Sequence, residues 1–328
     1  MGSGNCAENP IPHYQLIDMF RFLLVSLSIE AILQESTIYR RRERLRKMTD
    51  GLGLGDVYGA TIERIKAQGG GKSRLGMEAL MWISHAERPL SADELCHALA
   101  IELGSTEFNA GNIPSMTTLV SCCQGFITAD KEASTVPLIH FTLQEYISAH
   151  PNIFSRPHSA MAKICLTYLN SEQVKDLSVN LAPEIQDKPF LQYCSVYWGV
   201  HAKKQLSGSA MSLALQLFKE YDDHISWKLL LEKARYQDPC DLDEGPPFSG
   251  FHCAAFFGII EIVAALIEVG CDDLDGEDFW GRTPLVWAAE EGHDEVGCSI
   301  RKRLTPTGQM ISVKRRSQLP PSQGTGGW

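Results

Sequence analysis

The feature that most constrains this chain is an internal repeat. Ser249-Gly250-Phe251-His252-Cys253-Ala254-Ala255 aligns with Thr283-Pro284-Leu285-Val286-Trp287-Ala288-Ala289 at an offset of 34 residues. The same offset carries Gly258 onto Gly292 and Glu261 onto Glu295. A period of this length marks a helix pair that cannot bury its apolar face alone and must stack on a neighbour. In the second copy Thr283 is placed to cap a helix, Pro284 to start it, and Ala288 and Ala289 to let two helices approach closely.

Upstream, the chain of 328 residues exceeds one ordinary domain, and helical periodicity dominates it. Leu16, Phe20, Leu23, Leu24, Leu27 and Ala31 mark one face of a helix. Asp18, Arg21 and Glu30 interrupt that stretch and make it a half-buried helix rather than a membrane span. The basic run at 40–47 reads as a solvated helix face, with a contact to a nucleotide or an acidic partner as the alternative. Gly51, Gly53 and Gly55 read as a helix break before another amphipathic run at 57–65, and residues 68–73 read as a polar, flexible joint.

Helices are expected over 75–86, over 91–101 behind a Ser91/Glu94 capping box, and over 115–123 after Pro114. Two β-like runs follow, at 125–129 and 136–141, separated by the polar stretch 130–135. Three helices and then a hairpin is the winged-helix order. Further helices are expected at 142–149, 158–169, 189–203, 209–221 and 224–234. Residues 238–250, rich in proline and acids, read as a linker.

Several phrases together resemble the fungal NACHT/ankyrin signalling NTPases of the STAND type. Phe20-Arg21-Phe22-Leu23-Leu24 and Leu45-Arg46-Lys47 are similar to the helical end of a NACHT module. Trp82-Ile83, Arg88-Pro89-Leu90, Glu94-Leu95 and His97-Ala98-Leu99-Ala100 resemble the segment called the GPI inositol-deacylase winged helix. Leu119-Val120-Ser121-Cys122-Cys123 and 139–146 continue that likeness, and the second repeat copy is close to the ankyrin signature.

The resemblance implies a mainly α protein: a flexible start (1–15), a NACHT-derived helical segment (16–68), a winged helix with a small β-hairpin (69–150), a helical connector (151–236), one to two incomplete ankyrin repeats (248–296) and a disordered basic tail (297–328). The signature residues it assigns are His252, Ala254, Ala255, Gly258, Gly281, Thr283, Pro284, Leu285, Ala288, Ala289, Gly292 and His293. In such units the histidine at position 252 ties a loop by hydrogen bonds. The resemblance further implies that the repeats bind a protein partner and that the winged helix packs on the NTPase core and holds it off. The nucleotide-binding half of such proteins has no counterpart before residue 16, and the pattern stops after Val296, which suggests a truncated or misread gene.

The motifs that would carry chemistry are incomplete in this sequence. Gly71-Lys72-Ser73 lacks the glycine that a phosphate loop needs at position 66, which is Lys66, and a helical rather than a strand pattern precedes it. Gly51, Gly53 and Gly55 would need glycine at 56 to cradle a dinucleotide, and that residue is Asp56. No G-x-S-x-G elbow, H-E-x-x-H helix or paired C-x-x-C motif occurs. His252 and Cys253 are neighbours that point to different faces of a helix, so they are not a thiol and its base. His97 and His140 read as packing or capping residues.

The sequence thus predicts no enzyme, no catalytic residue, no cofactor, no nucleotide and no metal. The ten cysteines show no disulfide spacing and fit a reducing compartment. Residues 297–328 hold six Lys or Arg and no acid, which leaves a body of charge −16 against −10 overall; that body does not attract nucleic acid. A winged-helix protein linked to transcription is the rival reading, but 115–123 contains no Arg or Lys to enter a DNA groove. The absence of a secretory leader and of a span points to the cytosol or the nucleus. Arg301-Lys302-Arg303 and Lys314-Arg315-Arg316, on an acid-free spacer, have the spacing of a bipartite nuclear-import signal. Neither the partner's identity nor an oligomeric state follows from these residues.

Overall fold

The computed structural model describes residues 32–33, 35–49, 54–128, 134–177, 187–234, 248–269 and 274–304. The protein is mainly α, and its residues fall into two compact units. The expected helix over 16–33 lies almost wholly outside the described residues, as do Gly51, Gly53 and the tail beyond Leu304.

The first unit holds α1 (Ile38–Thr49), α2 (Leu54–Lys66), α3 (Lys72–His85), α4 (Ala92–Ala100), α5 (Met116–Cys122) and α6 (Phe141–Ala149). Arg40, Arg42 and Arg46 of α1 are exposed, whereas Arg41 is half-buried and donates to the Glu35 carbonyl at 2.9 Å. Ser91 and Glu94 form the expected box: the Ser91 N–H donates to Glu94 Oε2 at 2.8 Å, and the Glu94 N–H donates to Ser91 Oγ at 3.1 Å. Arg88 closes this corner by pairing with the Glu94 carboxylate. Such a box satisfies two orphan donors at once. Ser115 caps α5 and the His140 ring caps α6, accepting from the Thr142 N–H.

Several features depart from the sequence reading. The glycine-rich joint at 68–73 is a tight turn: Ser73 Oγ donates to the Lys66 carbonyl at 2.9 Å, and Gln68 Nε2 donates to the Cys122 carbonyl at 2.7 Å. Because of it α2 belongs to the winged-helix unit, burying Tyr58, Ile62 and Ile65 in the same core as Leu80, Trp82 and Phe126. Gly55 lies inside α2 rather than in a break.

The hairpin is reduced to isolated antiparallel bridges, Ile127 with Leu138 and Ser91 with Thr135; no extended strand forms among the described residues. Pro137 has no N–H to give to a ladder, and only its carbonyl is used, by the Thr128 N–H.

The second unit begins with the short segment 101–108 and continues from residue 158. It comprises α7 (Pro157–Leu169), α8 (Glu172–Lys175), α9 (Leu191–Lys204), α10 (Gly208–Leu217), a 3-10 turn (Phe218–Asp223), α11 (Ser226–Lys233), α12 (Gly250–Phe257), α13 (Ile260–Val269), α14 (Pro284–Glu290) and α15 (Asp294–Leu304). The aromatics of the connector form its core: Trp198 meets Phe218 at 5.8 Å and Phe257 at 5.2 Å, both edge on. Connector and helix pairs therefore share one core. The end of the expected linker is part of it, since Phe248 is fully buried between Tyr221 and Trp287.

The tail expected to begin at 297 is instead helical to Leu304, because Val296 and Ile300 fall on one face and are buried. Arg301, Lys302 and Arg303 sit in the last turn of α15, where cations suit the negative end of the helix dipole. The first basic cluster is thus on a helix and not on a flexible spacer.

Candidate partner-binding surface

The repeat residues come together in the second unit as two capped helix pairs. At the first, His252 occupies a buried position behind its N-cap residue, Ser249. The Ser249 N–H donates to His252 Nδ1 at 3.1 Å, so Nε2 carries the ring hydrogen. From there Nε2 reaches the carbonyls of Gly276 and Arg282, each at 3.1 Å. One imidazole therefore holds the helix start and both ends of the loop that precedes the second pair.

Cys253, its neighbour, faces the other way and accepts from the Tyr221 hydroxyl at 3.1 Å. Complete burial raises its thiol well above the ordinary value, which keeps it a protonated packing group rather than a nucleophile.

The remaining signature residues are mostly scaffold. Ala254, Ala255 and Ala288 are completely buried, Pro284 and Leu285 are buried, and Ala289 is half-buried. Thr283 Oγ1 accepts from the Val286 N–H, with Pro284 in the first turn. Gly258 and Gly292 end the first helix of each pair, both with positive φ, and Gly281 turns the loop between the pairs with φ 68°. His293 bridges the pairs: its Nε2 donates to the Phe256 carbonyl at 2.9 Å, while Lys203 Nζ lies 3.1 Å from Nδ1. Burial, seconded by the Lys203 charge, lowers the affinity of this ring for a proton.

What these residues hold up is a finger, 278–282, whose importance the sequence reading missed. The Asp278 carboxylate is 2% exposed and accepts three hydrogen bonds, from the N–H groups of Trp280 (2.9 Å) and Arg282 (3.0 Å) and from Trp287 Nε1 (2.7 Å). A second tie joins the Asp278 N–H to the Arg282 carbonyl at 2.9 Å. Trp280 and Arg282 are thereby displayed, half-exposed, on a locked turn. The Arg282 guanidinium lies 4.8 Å from the Trp287 ring and 5.7 Å from that of Trp280, and pairs with Glu290 at 3.1 Å. Phe279 is anchored against Trp227 of α11, ring to ring at 5.1 Å. The available signal was an aspartate five residues before the capping threonine, followed by two aromatics.

In the first unit, helix α5 holds the place where a winged helix would read DNA. Its exposed positions are Thr117, Thr118 and Ser121, while Leu119, Cys122 and Cys123 are buried. Burial pushes the Cys123 thiol up to about 12. Lys72 opens α3 behind Gly71, and the element before it is helix α2, not a strand.

Residues 62–169 match the family described as GPI inositol-deacylase, winged helix domain, and the chain therefore carries a winged-helix domain within a mainly α protein. The match covers about a third of the chain and begins within α2, in accord with the place of that helix in the winged-helix core. No curated protein and no solved structure matches the chain. Among the described residues no helix is long and apolar enough to cross a membrane.

Proposed function

We propose that this chain is a non-catalytic protein-protein interaction and regulatory protein of the STAND/NACHT kind, in which the two helix pairs act as ankyrin units and present the partner surface. One observation carries the reading. A buried aspartate accepts three hydrogen bonds that lock a five-residue finger, and that finger displays a tryptophan and an arginine, two residue types that dominate binding hot spots. The 34-residue repeat and the capped, alanine-lined helix starts support the ankyrin assignment. The winged-helix match supports kinship with proteins in which this domain accompanies a nucleotide-binding core.

On this reading the chain uses no nucleotide or cofactor of its own. Lys72 stands at the mouth of a helix-helix turn whose glycines, Gly69 to Gly71, lack the spacing of a loop that presents backbone N–H groups to a phosphate. Titration with ATP and magnesium is expected to give no saturable signal, and micromolar binding lost in Lys72→Ala would refute this part. Nothing in α5 favours the nucleic-acid alternative, because its exposed side chains are neutral.

The partner surface is tested by quantitative affinity capture from the source organism, with the wild-type chain beside the double variant Trp280→Ala/Arg282→Glu. Proteins retained by the first and lost from the second, at matched melting temperature, are expected. Identical captured sets would sink the assignment.

A further inference from the structure

Away from the finger, the second unit brings together two imidazoles that no sequence motif pairs. His158, in the first turn of α7, and His201, in the last turn of α9, face each other with their Nδ1 atoms 2.8 Å apart, although 43 residues separate them in the chain. The two rings are inclined by only 26°. His201 is completely buried and His158 half-buried, which puts the pair at the margin of the core.

The surroundings hold both rings in this pose. Gln205 clamps the two backbones: its Oε1 accepts from the His158 N–H at 3.1 Å, and its own N–H donates to the His201 carbonyl at 3.1 Å. The far nitrogen of His201, Nε2, meets the buried Tyr193 hydroxyl at 2.9 Å. A hydroxyl either accepts a hydrogen bond or donates one, so His201 can carry its ring hydrogen on Nε2 and present the Nδ1 lone pair to His158. Histidines that ligate metals are oriented by an outer partner of this kind. In the pair by itself one Nδ1 carries a hydrogen and the other accepts it. With both ring hydrogens on Nε2, the two Nδ1 lone pairs are left for a cation.

We propose that His158 and His201 bind one divalent late transition-metal ion through their Nδ1 atoms, with water in the remaining positions, and that the ion ties α7 to α9. Imidazole nitrogens select such ions over magnesium and calcium, which take oxygen ligands. The spacing selects further. Two nitrogens 2.8 Å apart, each roughly 2.0–2.1 Å from a metal, subtend about 85–90°, the angle between neighbouring ligands of square-planar or octahedral nickel(II) and copper(II). Tetrahedral zinc would need the nitrogens to spread to about 3.4 Å. Contiguous metal motifs gave no sign of this site, because its ligands come from the start of one helix and the end of another. It shares no residue with the finger and does not depend on the ankyrin assignment.

The test uses the full, untagged chain in isothermal titration calorimetry at neutral pH, with nickel(II), zinc(II) and magnesium each titrated alone. One nickel ion per chain is expected at micromolar affinity, tighter than zinc, with no magnesium signal. His158→Gln keeps a hydrogen-bonding group beside His201 but removes the ligand, and should abolish nickel binding while the metal-free chain melts as the wild type does. Tyr193→Phe, which leaves both ligands in place, should weaken nickel about tenfold. Nickel should raise the melting temperature of the wild type and not that of His158→Gln. Absence of saturable nickel binding, or nickel affinity unchanged in His158→Gln, would overturn the proposal, and zinc bound more tightly than nickel would overturn the choice of ion.

Discussion

The two copies of the repeat carry the same signature but differ in what surrounds them. In the first, Phe257 packs on Trp198 of α9, and Gly258 is so enclosed that a methyl group there would collide with the His293 ring. In the second, the position equivalent to Phe257 is Glu291, exposed, and Gly292 has open space around it. Ala255 is completely buried, whereas its counterpart Ala289 is half-buried. The signature thus specifies the shape of a helix pair, and the neighbour decides how much each residue contributes. The first copy is an interior unit because the connector covers it.

That contrast can be broken by paired substitutions. The largest effect is expected from Ala255→Asp, which buries an unpaired charge and should cost about 4 kcal/mol or abolish folding, against about 1 kcal/mol for Ala289→Asp. Chemical denaturation measures both, and equal losses would show that the copies are equivalent. Phe257→Ala should then cost about 3–5 kcal/mol by leaving a cavity beside Trp198, while Glu291→Ala should stay within about 0.5 kcal/mol.

Smaller and more discriminating is the glycine pair. Gly258 (φ 68°) and Gly292 (φ 76°) both occupy the left-handed region, so alanine costs about 1 kcal/mol at either from backbone strain. Only Gly258→Ala adds a steric clash, so its melting temperature should fall further than that of Gly292→Ala. Parity between them would mean that His293 moves aside freely.

The smallest effect is pH dependence. The folded protein holds His293 below its ordinary proton affinity, so as pH falls below about 6.5 the unfolded chain takes up a proton first. Stability linked to this group is therefore complete at neutral pH and declines as pH drops from the unfolded value toward the lowered folded one. His293→Gln should flatten this slope in melting curves recorded between about pH 7.5 and 5. A slope unchanged by the substitution would remove His293 from the account.

Local signals were legible in the sequence wherever a few consecutive residues decide the structure. The Ser91/Glu94 box and the Thr283-Pro284 helix start are of this kind, because a cap is satisfied within one turn. The reading failed where distant neighbours decide. Residues 248–250 look like linker next to a proline- and acid-rich run, yet Phe248 is buried by aromatics from the connector and from α14. The helix through 297–304 has only Val296 and Ile300 to hold it, a face too thin to register among Arg301, Lys302 and Arg303.

The second β-like run lost its ladder to Pro137, which was visible but was outweighed by its apolar neighbours. The burial of Thr167 and Asn170 was not legible at all, since both look solvent-facing until α10 closes over the end of α7. The finger was half-legible: Gly281 and Thr283 were singled out, but the role of Asp278 depends on Trp287, nine residues away and facing inward.

The central claim is that connector and first repeat copy form one cooperative core on which the second copy is a more loosely held outer layer. Native-state hydrogen exchange resolved by residue tests it most directly. The amides of α12 and α13 should open with the same free energy as those of α9 and α11, and α14 and α15 should open at a lower one. Protection of α14 and α15 equal to that of α12 and α13, or early joint opening of all four repeat helices away from the connector, would contradict it.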